Sequence, residues 1–248
     1  MSARILVINP NSTQAVTDGI ARALQPLQLP GGPVFECVTL REGPPGIQTQ
    51  RDVDGVVGPL TRLVAQRDAD CAAFVIACYS DPGLHSAREV TRKPVLGISE
   101  CGVLAALTLG HRFGVIAILP TSIPRHLRYL GAMGVSSRLA NERAVGLQVT
   151  ELADPTRTRQ KMIDTGRRLV EEDGAHVIVM GCAGMAQYRA PLEDALGVPV
   201  VEPTQAAAGM ALARDEPRSE RIQFKKGACS AIVEGRIKGY QLVDHLFS

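Results

Sequence analysis

Two cysteines, Cys78 and Cys182, stand in matching surroundings. The stretch VIVMGCAGM, 177–185, runs four apolar residues, Val177 to Met180, into Gly181, Cys182 and the small residues Ala183 and Gly184. That uncharged run, preceded by the turn Asp173-Gly174, predicts a buried parallel strand, so Cys182 falls where the strand stops and a helix starts. Cys78 stands likewise at the end of CAAFVIA, 71–77, followed by Tyr79, Ser80, Asp81, Pro82 and Gly83. Pro82 suits a first helical turn with Ser80 or Asp81 as its cap. A thiol at a helix N-terminus sees the positive end of the helix dipole and several unpaired N–H groups, which is expected to bring its pKa down from about 8.5 toward neutrality. It then serves as proton donor or acceptor. Small neighbours such as Ala183 and Gly184 leave backbone N–H groups open to an anionic oxygen. Two such thiols on opposite sides of one carbon can remove a proton next to a carbonyl and return one to the other face. That chemistry is racemisation or epimerisation without a cofactor. Asn11, Ser12, Thr121 and Ser122 are candidates for holding the enolate-like intermediate, although the same side chains serve equally as helix caps.

The elements that must position these groups alternate along the chain. Strand-like runs at 4–8, 34–40, 71–77, 95–98, 113–119, weakly 135–140, 175–180 and 198–201 are separated by helical patterns near 12–24, 50–67, 82–91, 100–109, 123–133, 154–173, 185–195 and 203–214. Alternation of this kind predicts an α/β fold with parallel sheet. The order also repeats. Asn9-Pro10-Asn11-Ser12 ends the first strand and Leu119-Pro120-Thr121-Ser122 the fifth; Cys78 ends the third and Cys182 the seventh; Pro94-Val95 leads to Glu100 as Pro199-Val200 leads to Glu202. Two pseudo-symmetric lobes, 1–105 and 106–214, with the site in the cleft between them, explain the repeat, and 215–248 is a tail outside it. Ligands in open α/β sheets bind at the carboxyl ends of the strands, where both cysteines and both Pro-containing turns fall.

Composition excludes other classes. Lys+Arg of 27 against Asp+Glu of 25 leaves no basic field for nucleic acid, and 4% aromatics with no Trp gives few stacking platforms. No apolar run approaches the roughly 20 residues of a membrane span, and MSARILVINPN reads as a first strand rather than a signal peptide. Six cysteines without zinc spacing or an export signal point to free thiols, a cytoplasmic protein and no metal. The five lysines, Lys93, Lys161, Lys225, Lys226 and Lys238, end no strand in the cleft as pyridoxal chemistry needs. Neither a G-x-G-x-x-G turn nor a G-x-S-x-G elbow is present. Cys37, Cys71 and Cys101 are expected in or near the core, and Cys229 falls in the tail. His85 is expected at the surface or in packing, and His111, His126, His176 and His245 form no constellation. Glu100 and Glu202 either orient groups of the cleft or stabilise a helix start. The Pro/Gly-rich segment 41–52, REGPPGIQTQRD, is a candidate lid or substrate-side loop.

ILVINPNST at 5–13, VIACYSDPGLHSAREV at 75–90 and VIVMGCAGMA at 177–186 resemble the hydantoin racemase family within the aspartate/glutamate racemase superfamily. The resemblance implies a cofactor-independent isomerase of 5-substituted hydantoins or allantoin, often a homo-oligomer, with Cys78 and Cys182 as the proton-transfer pair and Asn11 and nearby amides on the ring. Tyr79-Ser80 stands where amino-acid racemases of the superfamily carry Asn-Thr, which argues against an α-carboxylate substrate. Tyr79, Ser80 and Gln48 are thereby candidate substrate contacts, Gln48 standing where many hydantoin racemases carry an acidic residue. The alternatives within the superfamily are amino-acid racemisation, maleate-type cis-trans isomerisation and malonate decarboxylation. Outside catalysis, the alternative is a small-molecule binding domain.

Overall fold

The computed structural model describes residues 3–147 and 155–213. Eight strands form two four-stranded parallel sheets of identical topology. In the first, β1 (Arg4–Asn9), β2 (Val34–Thr39), β3 (Ala73–Ile76) and β4 (Val95–Gly97) lie in the order β2-β1-β3-β4. In the second, β5 (Phe113–Ala117), β6 (Leu139–Ala144), β7 (Val177–Met180) and β8 (Val200–Val201) lie in the order β6-β5-β7-β8. The central strands are covered on both faces, which is why their sequences read as unbroken apolar runs; β3, β5 and β7 are buried at every position.

The edge strands differ. β6 was expected at 135–140 but spans Leu139–Ala144, and 136–138 is a turn of 3-10 helix. Its sequence, LANERA, carries polar residues because the strand lies at an edge and because its one buried residue, Glu142, has a buried partner described below. The helical pattern of 50–67 is likewise two helices, α2 (Gln50–Gly55) and α3 (Val57–Gln66), joined at Val56. The remaining helices are α1 (Gln14–Leu24), α4 (Leu84–Val90), α5 (Ile98–Leu109), α6 (Ile123–Ala132), α7 (Pro155–Glu171), α8 (Arg189–Leu196) and α9 (Pro203–Leu212).

Two of these helices are exchanged between the sheets. α5 follows β4 of the first sheet, yet its Val103 and Ala106 pack with Phe113, Val115, Val177 and Val179 of the second. α9 follows β8 of the second sheet, yet Ala207, Ala208 and Ala211 pack with Ile5, Val7, Ala73 and Val75 of the first. Both helices are apolar nearly all round, ISECGVLAALTL and PTQAAAGMAL, as suits helices packed on more than one side, although Leu104 and Leu109 of α5 are exposed. Among the described residues, no helix is long and apolar enough to cross a membrane. Cys71 and Cys101 are buried and Cys37 is half-buried among apolar neighbours. His85 is exposed. Cys229, His245 and the tail from 215 lie outside the described residues.

Candidate active site

The carboxyl ends of β1, β3, β5 and β7 converge on one cavity lined by Asn11, Cys78, Tyr79, Ser80, Ser122, Cys182, Ala183 and Gly184. Val16, Ile47, Ala77, Ile118, Arg125, His126 and Gly181 complete the wall. With a volume of about 30 Å³ it holds a few waters at most, so a ring-sized ligand requires its walls to part.

The two thiols have equivalent settings. Each follows a fully buried strand, each is partly open to the cavity, and each sulfur takes a hydrogen bond from the backbone N–H two residues on, Ser80 for Cys78 and Gly184 for Cys182. Gly181 makes the second setting possible: a Cβ there would stand 2.7 Å from the Ile116 carbonyl oxygen of β5. We predict that Gly181→Ala lowers stability by about 1–3 kcal/mol, read as an earlier urea midpoint at unchanged slope.

The expected lowering of the thiol pKa values is reversed. Burial pushes Cys78 up to about 12 and Cys182 up to about 11, and the N–H donors only partly offset it. The reason is local. No α-helix starts at either sulfur: α4 begins only at Leu84, behind Gly83, and Cys182 is followed by 3-10 turns over 183–188. The dipole term that falls off within one turn is therefore weak at both sites.

Asp81, expected as a cap of the helix after Cys78, caps a different one. Its Oδ1 accepts from the N–H of Ser99 at 2.9 Å and its Oδ2 from that of Glu100 at 2.8 Å, at the start of α5. Tyr129 of α6 donates to Oδ2 at 3.0 Å. Burial raises this carboxyl to about 7. Glu202 performs the matching task on α9, accepting from Thr204 at 3.0 Å and Gln205 at 2.7 Å, and burial raises it too. Each thiol thus has a buried, helix-capping carboxyl in its electrostatic surroundings, Asp81 for Cys78 and Glu202 for Cys182, each of which raises its pKa. Glu100 pairs instead with Arg88 at 2.5 Å and does not line the cavity.

The turn after β1 is held by amides. Asn9 Nδ2 donates to Asn11 Oδ1 at 3.1 Å and to Thr17 Oγ1 at 3.0 Å, and Asn11 Oδ1 also accepts from the Thr13 N–H at 2.9 Å. Asn11 is 7% exposed, and its Oδ1 is committed to this network. Segment 41–52 is tied down beside it. Ser12 N–H donates to Pro44 O at 2.9 Å, Thr13 Oγ1 to Pro45 O at 2.7 Å, and a Cβ on Gly43 would meet Pro10 O at 2.1 Å. The segment reaches the cavity through Ile47, whereas Gln48 is not in the lining, and its backbone N–H is bound to Asp52. Ser12 and Thr121 also lie outside the lining, Thr121 being exposed.

Of the wall, Arg125 is absent from the reading of the sequence, and His126, read there as part of no constellation, belongs to one after all. Arg125, 8% exposed, donates from Nε to Ser80 Oγ at 3.0 Å, and burial lowers its pKa. His126, also buried, places Nδ1 2.5 Å from Glu142 Oε1 of β6, and its ring meets Tyr79 edge-on with centroids 5.1 Å apart. Their signal lay in the repeat itself. Aligning Pro10 with Pro120 sets Arg125 and His126 against Ala15 and Val16, a polar pair where the first half has an apolar one. Among the described residues, no group of three or more His, Cys, Asp or Glu side chains could hold a metal ion.

A family model described as Asp/Glu/Hydantoin racemase matches residues 5–211. A hydantoin racemase from Pseudomonas sp. (strain NS671) is 38% identical over 80% of this chain and 80% of its own. Among solved structures, allantoin racemase from Klebsiella pneumoniae has a TM-score of 0.79 at 32% identity, covering 86% of this chain and 87% of that one. Allantoin racemase from Pseudomonas fluorescens has a TM-score of 0.81 at 29% identity, covering 85% and 89%. The chain therefore belongs to the hydantoin racemase family within the Asp/Glu racemase superfamily, and it is an isomerase of the racemase kind.

Proposed function

We propose that this chain racemises 5-substituted hydantoins or allantoin, without a cofactor, by proton transfer between Cys78 and Cys182. The observation that carries the reading is that both thiols line one cavity from the ends of pseudo-equivalent strands. The ureide lies with its C5 between the sulfurs. One cysteine, as thiolate, takes the C5 proton; the electron pair passes into the adjacent carbonyl as an enolate. The other cysteine, as thiol, delivers its proton to the opposite face, and the two sulfurs have then exchanged protonation states. The Ala183 N–H and the side-chain amide of Asn11, both from residues that line the cavity, hold the ring oxygens in this reading. Raised thiol pKa values suit this scheme in one respect: a thiolate formed in a dry cleft is a strong base toward a weakly acidic C–H. The Ser80 and Gly184 N–H groups and the Arg125 charge favour its formation on the enzyme.

The test is one enantiomer of a 5-substituted hydantoin, or of allantoin, incubated in D2O. Optical rotation is expected to decay to zero while deuterium enters at C5. Absence of exchange across hydantoins and allantoin alike would retire the proposal.

A further inference from the structure

The site's pseudo-symmetry has one break. The thiols, their N–H donors and their capping carboxyls come in matched pairs, one member from each half. The wall over them does not. On the α1 side it is Val16, with Ile47 beside it; on the α6 side it is Ser122, Arg125 and His126. Proton transfer to either face of one carbon uses the matched parts. A wall that differs between the halves can recognise what the ligand does not present equally to both, and the substituent on the reacting carbon is the part that varies from one hydantoin to another.

The α6 wall is built for an acceptor carrying negative charge. Arg125 is buried, and among the described residues no carboxylate forms an ion pair with it and its one hydrogen-bond acceptor is Ser80 Oγ, reached from Nε, so that the two terminal nitrogens find no acceptor among them. Buried charges in proteins are paired, and an unpaired one is costly. Two carboxylates, Glu142 and Asp52, act on it without forming an ion pair; Glu142 binds His126 through Oε1 while its Oε2 has no hydrogen-bond partner, and Asp52 accepts from Thr49 and Gln48. A second, independent observation is Ser122: it is 1% exposed, it lines the cavity, and its Oγ has no hydrogen-bond partner. His126 adds Nε2, since Nδ1 is taken by Glu142. A guanidinium fork, a hydroxyl and an imidazole thus face the same small volume, and a guanidinium fork matches a carboxylate through two parallel N–H···O bonds.

We propose that the α6 wall is the subsite for the 5-substituent and that it takes a carboxylate, so that the preferred substrates are hydantoins with a short carboxyalkyl group at C5. This rests on the racemase reading above and names the substrate within it. Arg125 then acts as a specificity residue: its charge is neutralised on binding, and its fork fixes the substituent away from the Val16 side.

The probes are 5-(carboxymethyl)hydantoin, 5-methylhydantoin and allantoin, assayed by polarimetry with the wild-type chain, Arg125→Met and Arg125→Lys. For the wild type, kcat/KM for the carboxymethyl compound is expected to exceed that for the methyl compound by at least about thirtyfold. In Arg125→Met that ratio falls to about one, mainly through KM, and Arg125→Lys recovers part of it because the charge returns without the fork. A ratio unchanged by Arg125→Met overturns the proposal. So does a wild-type preference for allantoin or for the methyl compound. Calorimetric binding of the same compounds separates this inference from the racemase reading. If the wild type exchanges no C5 proton, the racemase reading fails. The subsite then stands if 5-(carboxymethyl)hydantoin binds more tightly than 5-methylhydantoin and loses that margin in Arg125→Met, and it falls if no margin exists.

Discussion

Replacing Cys78 or Cys182 with serine is expected to lower racemisation by a factor of about 10³ or more, because a hydroxyl is far too weak an acid and base to replace a thiol in either step. The more informative expectation is what survives. Each variant keeps one working thiol on one face of the substrate. Cys78→Ser and Cys182→Ser should therefore each wash deuterium into one enantiomer and not the other, with opposite choices of hand. Proton NMR in D2O on each pure enantiomer reads this directly. A symmetric residual exchange in both variants, or racemisation within tenfold of wild type in either, would remove the two-thiol mechanism while leaving the fold and family untouched. Serine is close to cysteine in size, so packing around Ala77 and Ala183 is preserved and a loss of activity reports chemistry.

The second large effect is alkaline. With Cys78 pushed up to about 12 and Cys182 to about 11 by burial, the free enzyme holds both as thiols at neutral pH. At pH 7 a thiol of pKa about 11 is ionised on the order of one part in 10⁴. If the form with one thiolate is the active one, kcat/KM should climb about tenfold per pH unit from pH 7 to 10, and a pH–rate profile with a dilute substrate tests it. A flat profile would mean that the substrate meets a thiolate already formed. Stability moves the other way. The folded pKa values lie above the unfolded value of 9.0, so the native state holds protons that the unfolded chain gives up. The contribution of the two buried thiols is complete below pH 9 and is lost progressively as pH rises toward 11 and 12, so the midpoint of thermal unfolding should hold up to about pH 9 and fall above it.

Much of this architecture could be read directly from residues. The central strands β1, β3, β5 and β7 announce themselves because burial on both faces demands continuous apolar runs, and the strand–helix alternation with its internal repeat led to two matched parallel sheets. The edges were less legible. β6 was displaced because its buried position is a glutamate whose partner, His126, lies on α6, and no local pattern reveals a pair that forms only in the folded chain. The exchange of α5 and α9 was hidden for a related reason: apolarity nearly all round shows that a helix is packed on more than one side but not against which sheet. In the site, both cysteines were evident from their place at strand ends, whereas their acidity was misjudged. That judgement needed to know where the next helix starts, and Asp81, with φ of 41°, turns the chain so that α4 starts late and its own carboxyl serves α5. Arg125 and His126 were legible only by setting the two halves of the repeat side by side and asking where they disagree.

The exchange of α5 and α9 also governs the order in which the molecule becomes complete. As the nascent chain leaves the ribosome, β1 to β4 can assemble early, but Ile5, Val7, Ala73 and Val75 are covered only in part, by Ile20 and Leu24 of α1 and by Ile98 and Cys101 of α5, until Ala207, Ala208 and Ala211 have been synthesised. Translation halted ahead of Pro203 therefore leaves part of an apolar sheet face open, a surface for chaperones or for aggregation. Neither half of the repeat can mature alone, because each lends the other its closing helix.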